Sequence, residues 1–198
     1  MSEIALPRKF VFKEELFAQR GIALPESTFR IGEVRYQPKS FVVGGSNSRM
    51  KEKTYSREKQ DQSLLGFLNH PTQPIVYGVA SQSDHAHALY VTAYLVHEFM
   101  KSTHGSNKVT WLRGHQLFQQ PNIPETTALL VLTGLTPNTP KFTLDKVTNL
   151  LDKWDHIPRI VSITGEDPIT FFTLSLYYRL DRMYFHGGDS VSREVEIL

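Results

Sequence analysis

The run Ala128-Leu129-Leu130-Val131-Leu132 constrains this chain more than any other feature. Five consecutive apolar residues without polar alternation cannot form a strand with one wet face, so this strand must be covered on both sides. Three similar runs occur: Pro74-Ile75-Val76-Tyr77-Gly78, which stops at a glycine, Val109-Thr110-Trp111-Leu112, and Ile160-Val161-Ser162-Ile163-Thr164. Arg182-Met183-Tyr184-Phe185, stopped by Gly187-Gly188, adds a fifth. Helical patterns separate them. Such an order predicts a three-layer α/β domain around a sheet of about five mainly parallel strands.

The helical stretches show the matching period. Ala86, Leu89, Tyr90, Ala93, His97 and Met100 recur at steps of three or four, the stripe of a helix packed on a sheet, with Ser83 or Asp84 as its cap and Gly105 past its end. Thr143 is expected to cap a second helix carrying Leu144, Val147, Leu150, Leu151 and Trp154 on one side. Asp167-Pro168 has the form of a third helix start, with an acceptor at the cap and proline at the first position.

The first 70 residues differ. They show no long period and are expected to hold one or two short helices, the best of them over Phe12–Gln19. Residues 1–70 are therefore expected to be a basic N-terminal extension, and 71–198 the α/β domain. Between Arg30 and Gln60 eight basic residues oppose three acidic ones, a local charge of +5 in a chain whose net charge is only +2. Bulk charge that small does not imply nucleic-acid binding. Within the stretch Arg49, Lys51, Lys53, Tyr55, Arg57 and Lys59 lie close together. Cations track a phosphate backbone and an aromatic ring can stack on an exposed base, so these six are the candidate contacts to nucleic acid or to an acidic partner.

Other compositional facts exclude whole classes. There are no cysteines, which removes disulfides, thiol nucleophiles and cysteine-based metal sites. Hydrophobic residues at 40% and charged residues at 21% suit a packed core rather than a disordered tail. No apolar run approaches the ~20 residues of a membrane span, and the start Met1-Ser2-Glu3 has no leader pattern, so a cytoplasmic protein without membrane contact is expected.

A strand running through a loop into a helix is the frame of a phosphate-binding loop, whose working form is G-x-x-x-x-G-K-[ST]. Glycines let backbone amides converge on phosphate, lysine neutralises it and the hydroxyl holds magnesium. The window Gly78-Val79-Ala80-Ser81-Gln82-Ser83-Asp84-His85 keeps only the first glycine. Ser83 replaces the second, Asp84 replaces the lysine and His85 the hydroxyl, so the local charge has the wrong sign for a triphosphate. A nucleotide hydrolase of this type also ends its third strand in acidic residues. Here Thr133-Gly134 follows Leu132.

The segment from about Pro74 to His186 resembles the core of an AAA+ P-loop ATPase, most closely the bacterial replicative-helicase loader branch. The likeness rests on Leu129-Leu130-Val131-Leu132-Thr133-Gly134-Leu135-Thr136-Pro137-Asn138-Thr139, a helix, and then Ile157-Pro158-Arg159-Ile160-Val161-Ser162-Ile163-Thr164. The resemblance implies a P-loop NTPase-like sheet and puts Thr164 where the family has a polar residue that senses the γ-phosphate. Departures from the pattern are the missing Walker lysine, the missing Walker acids, and too little chain after Phe185 for a helical lid. Gly78, Ser83, Asp84, His85, Thr133 and Thr164 are then positions of a degenerate nucleotide site.

Competing constellations are weaker. His85, His87 and His97 with Asp84 suggest metal, but positions 85 and 87 point about 200° apart on a helix, and a chelating pair needs four-residue spacing. No G-x-S-x-G elbow singles out a serine nucleophile. Glu166 and Asp167 lie at the carboxyl end of the fourth strand, where α/β sites usually form.

The expected function is thus a pseudo-ATPase adaptor in DNA replication or a mobile-element machine. It would use no cofactor or metal and would bind a protein partner and single-stranded DNA, with self-association left open. The rival expectation is an α/β hydrolase or transferase using Asp84, His85, Glu166 and Asp167.

Overall fold

The computed structural model describes residues 41–43, 53–81, 85–103, 108–119, 121–136, 138–164 and 183–187. Strands β1 (Phe41–Val43) and β2 (Lys53–Tyr55) form a small antiparallel pair, followed by helix α1 (Arg57–Asn69). Next come β3 (Val76–Ser81), α2 (His85–Ser102) and β4 (Lys108–Arg113). A 3₁₀ helix over Gly114–Gln119 leads to β5 (Thr127–Leu135), α3 (Lys141–Lys153), β6 (Arg159–Thr164) and β7 (Met183–Gly187).

The expected α/β class is what the structure has. Strands β4, β5, β6 and β3 lie side by side in that order, all parallel, and β7 pairs in parallel with the other side of β3. The sheet is open and the chain enters it out of sequence, since β6 lies between β3 and β5. Among the described residues no helix is long and apolar enough to cross a membrane.

Each face of the sheet has its own core. On one, Val76, Leu112, Leu130, Leu132, Val161 and Ile163 pack against Leu144, Val147 and Leu151 of α3. On the other, Tyr77, Val79, Val109, Trp111, Leu129, Val131 and Ile160 meet α2 and the Leu64 and Phe67 side chains of α1. These alternate sets follow from the two-residue period of a strand. They explain why the β5 run has no polar alternation: both of its faces are covered.

Helix α2 is buried around most of its circumference rather than along the single expected stripe. Ala88, Val91, Leu95, Val96 and Phe99 are as buried as Leu89, Ala93 and Met100, while His97 is only partly buried. Thr92 in its middle donates to the Ala88 carbonyl at 2.7 Å, and Ser102 and Thr103 close the last turn on the Phe99 carbonyl at 2.8 and 2.9 Å. Back-bonding of this kind lets hydroxyls be buried in a helix without an unmet donor.

Several boundaries differ from expectation. Helix α1 was not anticipated; it turns Gln60, Ser63, Leu64 and Phe67 inward at helical spacing, and half of that stripe is polar. Ser56 caps it, accepting from the Lys59 amide at 3.3 Å. The expected division at residue 70 falls between α1 and β3; Leu64 and Phe67 of α1 lie in the core cluster under α2. The strand expected to end at Gly78 runs on to Ser81. Thr143 is not the cap of α3: the helix starts two residues earlier, after Pro140, which offers no side-chain acceptor. Thr143 is instead buried in the first turn, and it is Thr139 that accepts a backbone amide, from Thr136 at 2.8 Å. The Phe12–Gln19 helix, Ser83, Asp84, Gly105 and the helix starting at Asp167-Pro168 lie outside the described residues.

Strand β5 also runs beyond Leu132, with an extra residue against β6: Leu132 stands opposite Val161, but Leu135, not Gly134, stands opposite Ile163. One inserted residue reverses the facing of every residue after it. Leu135 therefore joins Leu130 and Leu132 in the core under α3. Gly134 makes the bulge with φ +73°, a region that L side chains occupy at a cost. A Cβ there would find space, its nearest neighbours being 3.8 and 4.0 Å away, so Gly134→Ala tests the backbone alone. Urea unfolding of Gly134→Ala is expected to show a loss of about 1–2 kcal/mol; an unchanged midpoint would remove the strain.

Candidate functional site

The face of the sheet under α2 changes character along the strands. It is apolar through Tyr77, Val79, Val109, Trp111, Leu129, Val131 and Ile160, then becomes polar at the carboxyl ends. By the same two-residue period, Arg113 of β4, Thr133 of β5, and Ser162 and Thr164 of β6 fall on this face. Arg113 stands opposite Thr133, and Thr164 stands opposite Ser81 of β3. The chain then crosses in three residues, 82–84, to the first residue of α2. This edge is where ligands meet open parallel sheets, and the structure brings Thr133 and Thr164, two of the expected site positions, to it.

The chemistry of this edge is that of hydroxyls. Thr133 is almost fully buried and accepts the indole N–H of Trp111 at 3.0 Å. An acceptor at that point is a requirement of burying Trp111, whose Nε1–H can only donate. Thr164 and Ser162 are buried as well. Strands β3 to β6 carry no Asp or Glu. A threonine cannot replace a carboxylate in holding a divalent cation or in taking a proton from water, because its hydroxyl stays neutral. These strand ends can donate and accept hydrogen bonds, and Arg113 adds a cation whose own amide is tied to Gln116 Oε1 at 2.8 Å.

Gly78 lies elsewhere than a phosphate-binding loop needs it. It stands mid-strand, opposite Val161 of β6 and Phe185 of β7. Val79, Ala80 and Ser81 continue the β3–β6 pairing. Backbone committed to a ladder between two strands is not free to curl around a phosphate. The loop expected over residues 79–84 is thus shortened at its start, β3 running on to Ser81. His85 begins α2. Ser83, Asp84, Glu166 and Asp167 lie outside the described residues.

Helix α2 does not bring His85 and His97 together, and Asp84 lies outside the described residues. His85 and His97 are twelve residues apart on α2, about 18 Å along its axis, which no single ion can span. His97 Nδ1 is 3.3 Å from Glu98 Oε1, and Glu98 Oε2 is 4.0 Å from Lys101 Nζ, a small surface network. Tyr77 is equally unsuited to proton transfer: burial, reinforced by the field of Asp61, pushes its phenol far above the usual range, so it stays neutral. Its ring packs 5.2 Å from that of Phe67.

Of the basic candidates, Lys53 and Tyr55 lie on β2, opposite Val43 and Phe41 of β1, and Arg57 is the first residue of α1. Lys59 follows within the first turn, exposed, its Nζ donating to the Thr54 carbonyl at 3.1 Å. Four of the six candidates thus sit on one hairpin strand and the helix start after it. Arg49 and Lys51 lie outside the described residues.

Sequence reasoning missed two features of this sheet. One is the Trp111–Thr133 bond, which the pairing of β4 with β5 creates across twenty-two positions. The other is Arg159, a buried cation at the opposite end of β6. No protein-family model matches the chain, and no curated protein matches it.

Removing the Thr133 acceptor tests its role. Thr133→Val keeps the shape and leaves the Trp111 N–H buried without a partner. It is expected to cost about 1–3 kcal/mol in urea unfolding, with a change in Trp111 fluorescence; a neutral result would mean that the indole finds another acceptor.

Proposed function

We propose that this chain is a non-catalytic, AAA+-like adaptor. It binds a protein partner in a DNA replication or mobile-element machine and contacts single-stranded DNA through the basic segment that includes Arg49, Lys51, Lys53, Tyr55, Arg57 and Lys59. What carries the reading is the first strand: Gly78 is locked inside β3 and only residues 82–84 separate that strand from α2. The backbone from Gly78 to Ser81 is paired with β6, and the sequence puts the acid Asp84 where a triphosphate needs a cation.

Two further observations support it. Interleaving β6 between β3 and β5 brings Thr164 beside the end of β3, where a γ-phosphate-sensing residue of a P-loop sheet would border the nucleotide. In the same sheet, the strand that would supply the metal-binding acids, β5, carries Thr133 near its carboxyl end, already engaged by Trp111. The arrangement has the layout of an ATPase sheet without its charges. With β7 beside β3, it reads as a five-stranded P-loop-like sheet.

Two measurements test the proposal. Titration with a fluorescent ATP analogue and magnesium is expected to show no saturable binding; tight binding that His85→Ala abolishes would overturn the pseudo-ATPase reading. For DNA, the combined change Lys51→Ala, Lys53→Ala and Arg57→Ala is expected to weaken oligothymidylate binding. It should also flatten the dependence on salt, by roughly 0.7 units of log–log slope for each phosphate that is no longer neutralised. An unchanged slope would take the basic segment out of the interface.

A further inference from the structure

The carboxyl edge carries a second surface that the basic segment does not include. Phe118, on the 3₁₀ helix after β4, is 48% exposed and Phe142, in the first turn of α3, is 52% exposed. A single exposed phenylalanine is ordinary. These two come from separate elements and meet with ring centroids 5.3 Å apart, tilted by 42°. Their neighbours Leu117, Thr143 and Leu144 are buried and complete the core without them. The pair is therefore held at the surface.

A cation holds the pair in place. Lys146 Nζ lies 4.5 Å from the Phe142 ring centroid and donates to the Leu117 carbonyl at 3.1 Å, so one ammonium group ties α3 to the 3₁₀ helix beside the two rings. Lys141 is exposed next to Phe142, and the first turn of α3 has no acidic residue. Asp145, exposed one turn further on, offsets the two lysines in part.

Exposed aromatic faces flanked by ammonium groups suit a nucleobase and its phosphate. Protein interfaces are also enriched in phenylalanine, but they are depleted in lysine. We infer that Phe118 and Phe142 form a base-stacking platform for single-stranded nucleic acid, with Lys141, exposed beside Phe142, as the cation for an adjoining phosphate. This rests on the reading that the chain binds single strands, and it adds a contact that reads bases where the basic segment reads charge. Because Lys146 lies against the Phe142 ring and Phe118 packs on Phe142, little side-chain freedom is lost on binding.

The test uses the full chain and fluorescence anisotropy with a fluorescein-labelled oligothymidylate and an abasic oligomer of equal length. Phe118→Ala and Phe142→Ala remove exposed groups, so both variants are expected to melt like the wild type. Each is expected to weaken oligothymidylate binding by about fivefold or more, leaving the salt slope unchanged. The wild type should bind the abasic strand more weakly by a similar factor, and the double variant should no longer distinguish the two strands. If both variants bind as the wild type does while the triple change in the basic segment still weakens binding, the platform is overturned and the proposed function stands. A wild type that binds neither strand overturns the platform and the DNA contact together. Loss of a protein partner by the two variants, with DNA binding intact, would make the surface a protein interface and equally overturn the inference.

Discussion

Strand β6 is the constraint on which the rest of the molecule depends. All six of its residues are buried, and it pairs in parallel with β3 on one side and β5 on the other. Without it, the part of the sheet bearing β3 would not meet the part bearing β4 and β5. Arg159 anchors its amino end. The guanidinium donates to the Leu151 carbonyl in the last turn of α3 and to the Pro74 carbonyl ahead of β3, while the Arg159 amide donates to the Ile75 carbonyl at 2.9 Å. A cation at a helix carboxyl terminus is favoured by the helix dipole, and charge-assisted bonds offset part of the cost of burying it. One side chain thus joins the end of α3, the start of β3 and the start of β6.

The same strand order determines what the carboxyl edge can do. It brings Ser81 and Thr164 into register and sets Thr133 one strand away, so the polar ends of several strands share an edge. A row of carboxylates there would repel itself and draw in a metal ion, whereas hydroxyls can satisfy one another and their neighbours. Thr133 does so for Trp111, and a residue engaged in burying an indole has a structural role first. The bulge at Gly134 belongs to the same economy of space: it restores Leu135 to the core just beyond the polar position. At this edge, packing accounts for Thr133.

How legible each element was in the sequence depended on how its burial is achieved. Runs covered on both faces, such as Leu129–Leu132, could be read directly because a short apolar run of β-forming residues bounded by turn signals fits a doubly covered strand. Helix α1 was missed because its inward stripe mixes Gln60 and Ser63 with Leu64 and Phe67, and its first turn is charged. The end of β3 is not at its glycine, although glycine often punctuates a strand; Gly78 stays in the ladder because β6 and β7 pair on either side of it. Thr143 was a plausible cap by residue type, yet Pro140 starts the helix earlier and turns that threonine inward. The histidines could be set aside from spacing alone, since twelve residues of helix separate His85 from His97.

By itself, the sequence determined the α/β class, the buried strands and the absence of thiol chemistry and of an intact phosphate-binding motif. These depend on residue type and short spacing, which the chain carries locally. Only the tertiary structure decided that β6 enters between β3 and β5, that Arg159 is buried, that Trp111 finds Thr133, and that Phe118 and Phe142 meet at the surface. Each of those joins residues distant in sequence through the order of strands in a sheet. A two-residue period states which face a side chain takes, but not which strand lies beside it.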